Sequence, residues 1–551
     1  MRQGGTLKGD PIAGGYDYIV IGGGSSGCVL ASRLTEDPSC RVLLLESGRK
    51  DSHPLLHIPV GYVKMNALPF ASMTTGALTW GLVTAPQKHA NNRALPYTQA
   101  RVIGGGSSIN AAVYTRGTRA DYDRWAQEHG CDGWSFDEVM PYFLRSEGNT
   151  ALSDAWHGTA GPLGVSNVIS PQPMTRAFVE ACQQLGIPHT ADFNGETQQG
   201  AGIYQTTTRN AKRCSAAVAY LRPALNRANL TVRTGCTVRR IVIENARATG
   251  VDFTDRAGTH TARATSEVLL TAGAIGSPKL MMLSGLGPAA DLRGHGIEVV
   301  QDLPGVGQNL ADHYAIDIVA ELNGDKSLNR YRKTHLAAWA AIQYYLAGTG
   351  PLTSNVVEGG AFWFSREGQG QPDLQFHFLP GAGAEPGVPS VRKGAAGITL
   401  NSYALQPKAR GTVRLRSADP SDTPIVDPDF LGHPDDLRTS VEGIRMSVDI
   451  FEQEALRQHI RKISFPDESL RTEAGLAEYA RQYGRTSYHP TGTCKMGHDA
   501  LAVVDPQLRV RGIDGLRICD SSIMPSLVSS NTNAPTIMIG EKAADLVRGN
   551  R

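Results

Sequence analysis

None of the eight cysteines, Cys28, Cys40, Cys131, Cys182, Cys214, Cys236, Cys494 and Cys519, stands in a C-x-x-C pair or in the clustered His/Cys spacing that zinc requires. No metal site is expected. Several of these thiols sit in apolar runs, where cysteine packs as a small hydrophobe, and a reduced, cytoplasmic setting suits them. Residues 1–15 contain no apolar core of the kind a secretory signal needs. Nor does any stretch approach the ~18 apolar residues that span a bilayer. The longest candidate, residues 335–346, is short and carries Gln343 and two tyrosines; it reads as a buried amphipathic helix. Peripheral attachment to a membrane is the most this leaves open. Charge of either sign is not in excess: 54 basic against 52 acidic residues give a net +2, which excludes the basic footprint of a nucleic-acid partner. Internal repeats are absent too.

Glycine is abundant. The 61 glycines are about a ninth of the chain, against ~7% in average proteins, and imply tight turns and close backbone approaches to a ligand. At 551 residues the chain also exceeds the ~250–300 at which one core stops growing, so two associated domains are expected.

Tyr16-Asp-Tyr-Ile-Val-Ile21 reads as a buried parallel strand, residues 26–34 as a helix, and Arg41-Val-Leu-Leu-Leu-Glu46 as a second buried strand. This β-α-β unit opens a doubly wound sheet. Residues 51–100, rich in Gly, Pro, Thr and aromatics, read as a lid or interface element beside a site or, equally, as an ordinary packed surface excursion. Strands are expected at 230–243 and 267–272. From 315 to 465 strands and helices mix, with a Pro/Gly-rich stretch at 380–397, and a closing helix is expected over 536–547. The fold class is α/β: a Rossmann-like nucleotide domain with an inserted α+β substrate domain on a mixed or antiparallel sheet. The expected division is 1–161, 229–314 and 481–551 for the nucleotide domain, and 162–228 and 315–480 for the substrate domain.

Gly22-Gly23-Gly24-Ser25-Ser26-Gly27 fits G-x-G-x-x-G at the strand-to-helix junction. Gly22 permits the turn, Gly24 lets backbone approach a pyrophosphate, and Gly27 lets the helix pack on the strand. Ser25, Ser26 and the helix N-terminus offer donors to phosphate. Glu46, 19 residues beyond Gly27, is placed to accept from an adenosine ribose. This much indicates a dinucleotide without separating NAD from FAD. A second loop, Arg101-Val102-Ile-Gly104-Gly105-Gly106-Ser107-Ser108-Ile109-Asn110, followed by Val113 and Tyr114, decides for FAD. A flavin, with a pyrophosphate and a large polar ring system, uses two such loops, and a nicotinamide enzyme does not.

These motifs, with Gly273-Ala-Ile-Gly276-Ser277-Pro278 through Leu283-Ser284-Gly285-Leu-Gly287, Ser487-Tyr488-His489-Pro490-Thr-Gly492-Thr-Cys494, Cys519-Asp520 and Asn531-Thr-Asn533-Ala-Pro535-Thr536, resemble the glucose–methanol–choline (GMC) oxidoreductase family from residue 16 to 546. The bacterial alcohol and choline dehydrogenase branch is the nearer one. The resemblance implies FAD-dependent oxidation of a primary alcohol to an aldehyde, with hydride passing to flavin N5 and dioxygen or another acceptor reoxidising the cofactor. His489 would be the catalytic base, its ordinary pKa of ~6.5 suiting proton abstraction near neutrality. Asn531 would be the second catalytic residue, with Asn533 as the alternative alignment. His313 and His498 take a structural reading. Val238, Ala272, Asp520, Asn533, Pro535 and Thr536 would contact FAD, and Tyr488 would line the substrate pocket, where Phe362, Trp363 and Tyr403 are further candidates. Ile109 occupies the position at which some relatives link FAD to a histidine, so non-covalent FAD is implied. The rival readings are a lyase on the same scaffold that cleaves cyanohydrins, and a flavoprotein without catalysis.

Overall fold

The computed structural model describes residues 15–63, 78–383 and 388–549. The expectations for residues 1–14, for 64–77 within the segment read as a lid, and for 384–387 of the Pro/Gly-rich stretch lie outside the described residues.

Strand β1 (Tyr16–Ile21) and strand β2 (Val42–Glu46) flank helix α1 (Ser25–Leu34). Every residue of β2 is buried, as an uninterrupted apolar run requires when helices cover both faces of a parallel sheet. With β3 (Leu230–Thr234), β4 (Thr237–Glu244), β5 (Arg247–Asp255) and β6 (Gly258–Leu270) they form a sheet of order β3-β2-β1-β6-β5-β4, and Leu516–Ile518 pairs in parallel with β6. β1 is parallel to β2 and β6, whereas β4, β5 and β6 form an antiparallel meander.

The single strand expected at 230–243 is therefore two, broken where Gly235 takes φ +73°. The strand expected at 267–272 is the buried end of the 13-residue β6, whose outer part is mostly solvated and gave no apolar run. The closing helix α2 (Asn533–Arg548) lies against α1. A side chain at Gly540 would come within 3.0 Å of Ser26 and Val29, and Arg33 reaches the buried carboxylate of Glu541 at 2.8 Å. The first and last described helices thus close on the same nucleotide loop.

The second sheet is antiparallel. Its order is Ile460–Phe465, β7 (Tyr314–Leu322), β10 (Gly397–Ala404), β9 (Leu374–Leu379), β8 (Gly359–Trp363) and Gly200–Ile203. Leu374, Phe376 and Ser402 share the face that meets helix Pro434–Glu452, where a side chain on Gly443 would strike Ser402 at 2.9 Å. Strand alternation turns Gln375, His377, Asn401 and Tyr403 to the opposite face, and His377 and Asn401 line the main cavity.

The helix expected at 335–346 forms as Thr334–Ala347, but it is not buried: only Ala340 and Tyr344 are covered. Composition signalled a helix and could not signal which side of the molecule it lies on. All eight cysteines are buried, and none is in a disulfide. Among the described residues no helix is long and apolar enough to cross a membrane, and no group of three or more His, Cys, Asp or Glu is arranged to hold a metal.

Candidate active site

A cavity of about 380 Å³ runs between the two sheets. Its nucleotide end is built by the two glycine loops, which touch. Gly104 N–H donates to the carbonyl of Gly23 at 2.7 Å, and a Cβ on Gly105 would lie 2.7 Å from the Cα of Gly24. Gly105 also has φ +55°, so both the close approach and the backbone require glycine. At Gly27 a Cβ would fall 1.9 Å from the Gly22 carbonyl, which fixes how tightly α1 packs on β1. The N-terminus of α1 has no side-chain cap and faces the cavity through Gly24 and Ser25, leaving its first N–H groups for a ligand. Glu46 accepts from Gly23 N–H at 2.8 Å and Gly48 N–H at 2.6 Å. Burial nevertheless raises its pKa.

At the other end stands a directional chain of hydrogen bonds. His313 Nε2 lies 3.0 Å from the Leu405 carbonyl; a carbonyl only accepts, so Nε2 carries the proton. The neutral His313 ring then has a bare Nδ1, 2.9 Å from His489 Nδ1, and His489 must donate from Nδ1. Its Nε2 is left unprotonated, 3.1 Å from the side-chain nitrogen of Asn531. The orientation of the Asn531 amide follows, because its Oδ1 accepts from Thr115 Oγ1 at 3.1 Å and Gln375 Nε2 at 3.3 Å. Burial, then the neighbouring rings of His313 and His377, holds His489 well below the usual histidine range. Burial lowers His313 to about 4; burial, then the charge of Arg485, lowers His377 to about 3. All three rings are neutral at neutral pH. Tyr488 sits at φ +64°, a strained position for a side chain with a Cβ. It turns the chain so that Asp312 accepts from His489 N–H at 2.8 Å. Asp312 is itself held by Tyr97 at 2.7 Å and Thr486 at 2.5 Å, and burial raises it to about 6.

The sequence matches the GMC oxidoreductase family over residues 16–315 and 407–540. The chain belongs to the GMC oxidoreductases. Along 97% of its length it is 40% identical to an alcohol dehydrogenase [acceptor] of Pseudomonas putida, covering 95% of that protein, and 41% identical to the mitochondrial choline dehydrogenase of Homo sapiens, covering 90%. Pyridoxine 4-oxidase from Mesorbium loti superposes with a TM-score of 0.85 at 28% identity, covering 96% of this chain and 98% of that one. Formate oxidase of Aspergillus oryzae RIB40, as its R554K variant, superposes with a TM-score of 0.90 at 25% identity, covering 97% and 98%. This GMC oxidoreductase is thus an FAD-dependent enzyme related to dehydrogenases acting on CH–OH donors.

The residues present fit FAD. Asn533 Nδ2 is buried with no partner among the described residues, while its Oδ1 accepts from Ser25 Oγ at 2.9 Å; an unpaired donor at the glycine loop is what a pyrophosphate would satisfy. Asp520 caps Gly273 N–H at 2.8 Å and takes Ser277 Oγ at 2.6 Å.

Of the residues expected at the site, Gly22, Gly24, Ser25, Ser26, Glu46, Val102, Gly105, Gly106, Asn110, Val113, Ala272, Asp520, Asn533, Thr536, Tyr488, His489 and Asn531 all line the cavity. Four do not. Gly27 serves packing, as its motif position requires. Arg101 instead stacks over Trp80 at 4.6 Å, and Trp80 is the wall residue. Val238 packs its side chain against the nucleotide-domain core, and Pro535 is buried in the first turn of α2. Three further candidates also move off the wall. Phe362 packs edge-on against Phe193, Trp363 lies against Phe364, and Tyr403 stacks on His313 at 4.7 Å while donating to Gln375. The structural reading of His313 understated it, since it orients His489. His498 is exposed and off the cavity wall. Sequence reasoning missed His377, Gln375, Asn401, Arg485 and Val357. They come from strands and loops of the substrate part with no motif of their own, and only the alternation 375, 377, 379 hinted at a shared face.

Proposed function

We propose that this enzyme oxidises a neutral primary alcohol with an apolar tail to its aldehyde. The observation that carries the reading is the tautomer chain from Leu405 through His313 to His489, which leaves Nε2 of His489 unprotonated at the cavity, its lone pair held by Asn531 Nδ2–H until a substrate hydroxyl takes that place. An alcohol hydroxyl placed there donates to Nε2, which takes its proton as the C–H bond is broken, while Asn531 donates from Nδ2 to the same oxygen and steadies the developing charge. Bound FAD supplies the hydride acceptor; Ile109 offers no nucleophile for a covalent link, which supports non-covalent attachment. Dioxygen or another acceptor then closes the cycle.

The tail is read from the wall. Tyr62, Leu82, Ile109, Val113, Val357 and Leu379 line this cavity, which favours an apolar group. Arg485 also lines it, paired with Asp317 at 2.8 Å, and its charge is felt at His377. Of the described carboxylates on the wall, Glu46 and Asp520 belong to the nucleotide domain, and Asp422, on a loop of the substrate part, lies beside Lys279 of the nucleotide domain, whose Nζ donates to its backbone carbonyl at 2.6 Å; residues 64–77 contain no Asp or Glu. A quaternary ammonium such as choline would find a cation and no anion. We read the same division as in the sequence, with 1–161, 229–314 and 481–551 holding FAD and 162–228 and 315–480 carrying the substrate sheet; the strand membership of the two sheets supports it.

The test is anaerobic reduction of the purified holoenzyme by a panel of primary alcohols that includes choline, followed at the visible flavin band. Bleaching by neutral alcohols and not by choline is expected. Choline bleaching at a comparable rate would overturn the substrate class, and a band that no alcohol bleaches would overturn the oxidation and turn attention to lyase chemistry.

A further inference from the structure

The helix Thr334–Ala347 is predominantly apolar, with Thr334, His335 and Gln343 its polar residues, yet lies on the outside of the protein. Such a helix is normally found inside a core or a bilayer. One side is anchored: Ala340 and Tyr344, one turn apart, are buried, and Tyr344 Oη donates to the Ala211 carbonyl at 3.1 Å. The opposite side presents Trp339, Ile342, Tyr345 and Leu346, which are 56%, 48%, 69% and 84% exposed. Ile169 extends this patch, 44% exposed beside Ser170, whose hydroxyl accepts from Gly350 N–H at 3.1 Å. Monomeric soluble proteins rarely leave large apolar side chains grouped this way.

The rim of the patch is mainly basic. Lys326, Arg330, Arg332 and Lys333 precede the helix and are exposed; among the described residues only Lys333 of these is paired with a carboxylate, Asp325 at 2.7 Å. From Lys326 to Val357 the sequence contains no Asp or Glu. At 14 residues the helix is too short to cross a bilayer. An apolar face with Trp and Tyr and a basic flank is instead the composition of a helix that lies in the headgroup region of an anionic membrane. A second copy of the chain is disfavoured as occupant, because a twofold contact would bring the same basic rim against itself.

We propose that this helix docks the enzyme on the surface of an anionic phospholipid bilayer. Trp339, Ile342, Tyr345 and Leu346 enter the interface, and the basic residues 326–333 pair with lipid phosphates. The turn Pro351–Thr353 that follows the helix leads to Val356 and Val357, which pack with Tyr62 in the apolar cluster at the cavity. Docking therefore sets that wall close to the membrane. The proposal does not depend on which alcohol is oxidised.

The test is flotation of the purified holoenzyme with vesicles of pure phosphatidylcholine and of phosphatidylcholine mixed with phosphatidylglycerol. Binding to the mixed vesicles at low salt is expected, released by high salt. Lys326→Gln with Arg330→Gln should weaken it by about tenfold. Trp339→Ser with Leu346→Ser should abolish it while flavin content and alcohol-driven bleaching stay unchanged. Equal binding to both vesicle types, no binding to either, or indifference to the Trp339/Leu346 pair would each overturn the proposal. So would a dimer in sedimentation that the Trp339/Leu346 pair dissociates, which would make the patch a contact between copies.

Discussion

His313 and His489 meet Nδ1 to Nδ1 at 2.9 Å, and the Leu405 carbonyl behind His313 sets which of the four ring nitrogens carry protons. The proposed base, His489, is thus oriented by a second histidine that sequence reasoning gave only a structural role. Replacing His313 by Leu removes the acceptor for His489 Nδ1–H and frees the ring to take the wrong tautomer. Alcohol-driven flavin reduction should slow by about 10–100-fold, an unmatched buried N–H being worth ~1–3 kcal/mol. Flavin content should be unchanged.

His489→Ala removes the proton acceptor itself. The reductive step should fall by about 10²–10⁴-fold with the flavin spectrum retained, measured by anaerobic stopped flow. A rate within threefold of wild type would place the base elsewhere.

The pH dependence of stability follows from the ring cluster. His313 is held at about 4 and His377 at about 3, with His489 also depressed, against ~6.5 in the unfolded chain. Between those values the unfolded state binds more protons, so stability rises with pH there and is lost as pH falls from about 6.5 toward 4. One such ring contributes roughly 3 kcal/mol across its window. Asp312, raised to about 6, acts in the opposite sense between ~4 and 6, and the fixed charge of Arg485 reinforces the histidines. Melting temperatures should therefore drop steeply below pH 6, and less steeply in His377→Phe.

Gly105→Ala should strain both glycine loops at once, from φ +55° and from the 2.7 Å approach to Gly24. The left-handed conformation alone costs ~1–2 kcal/mol. The purified variant should carry less flavin per protein, measured as the ratio of visible to ultraviolet absorbance, and melt earlier than wild type.

Asn533→Ala removes a buried donor beside Ser25 that has no partner among the described residues. FAD affinity should fall by about 5–30-fold, equivalent to ~1–2 kcal/mol, while the rate of flavin reduction in the fully loaded enzyme stays close to wild type. A matching loss of rate would instead support Asn533 as the second catalytic residue.

The parts legible in the sequence are those where a local backbone need forces a local residue choice. Gly22, Gly24 and Gly105 stand where no Cβ fits or where backbone must approach a ligand, β2 is an unbroken apolar run because both its faces are covered, and the His-Pro and Asn-Thr-Asn segments carry recognisable chemistry. The extent of β6 was not legible, because its outer half alternates and faces solvent. Nor was the environment of the base. Leu405, His313, Gln375 and Asn531 are scattered over more than two hundred positions, and only the pairing of β9 with β10 and the closing of α2 on α1 bring them within hydrogen-bond reach. The helix at 334–347 makes the same point from outside: its composition decided that it would be helical and apolar, whereas the direction in which Ala340 and Tyr344 anchor it decided that Trp339 and Leu346 meet solvent. Sequence by itself determined which bonds the backbone can make and which cofactor the loops can hold. Tertiary structure decided the protonation of His489 and the orientation of exposed apolar surface, because both depend on groups that approach one another only when distant segments pack.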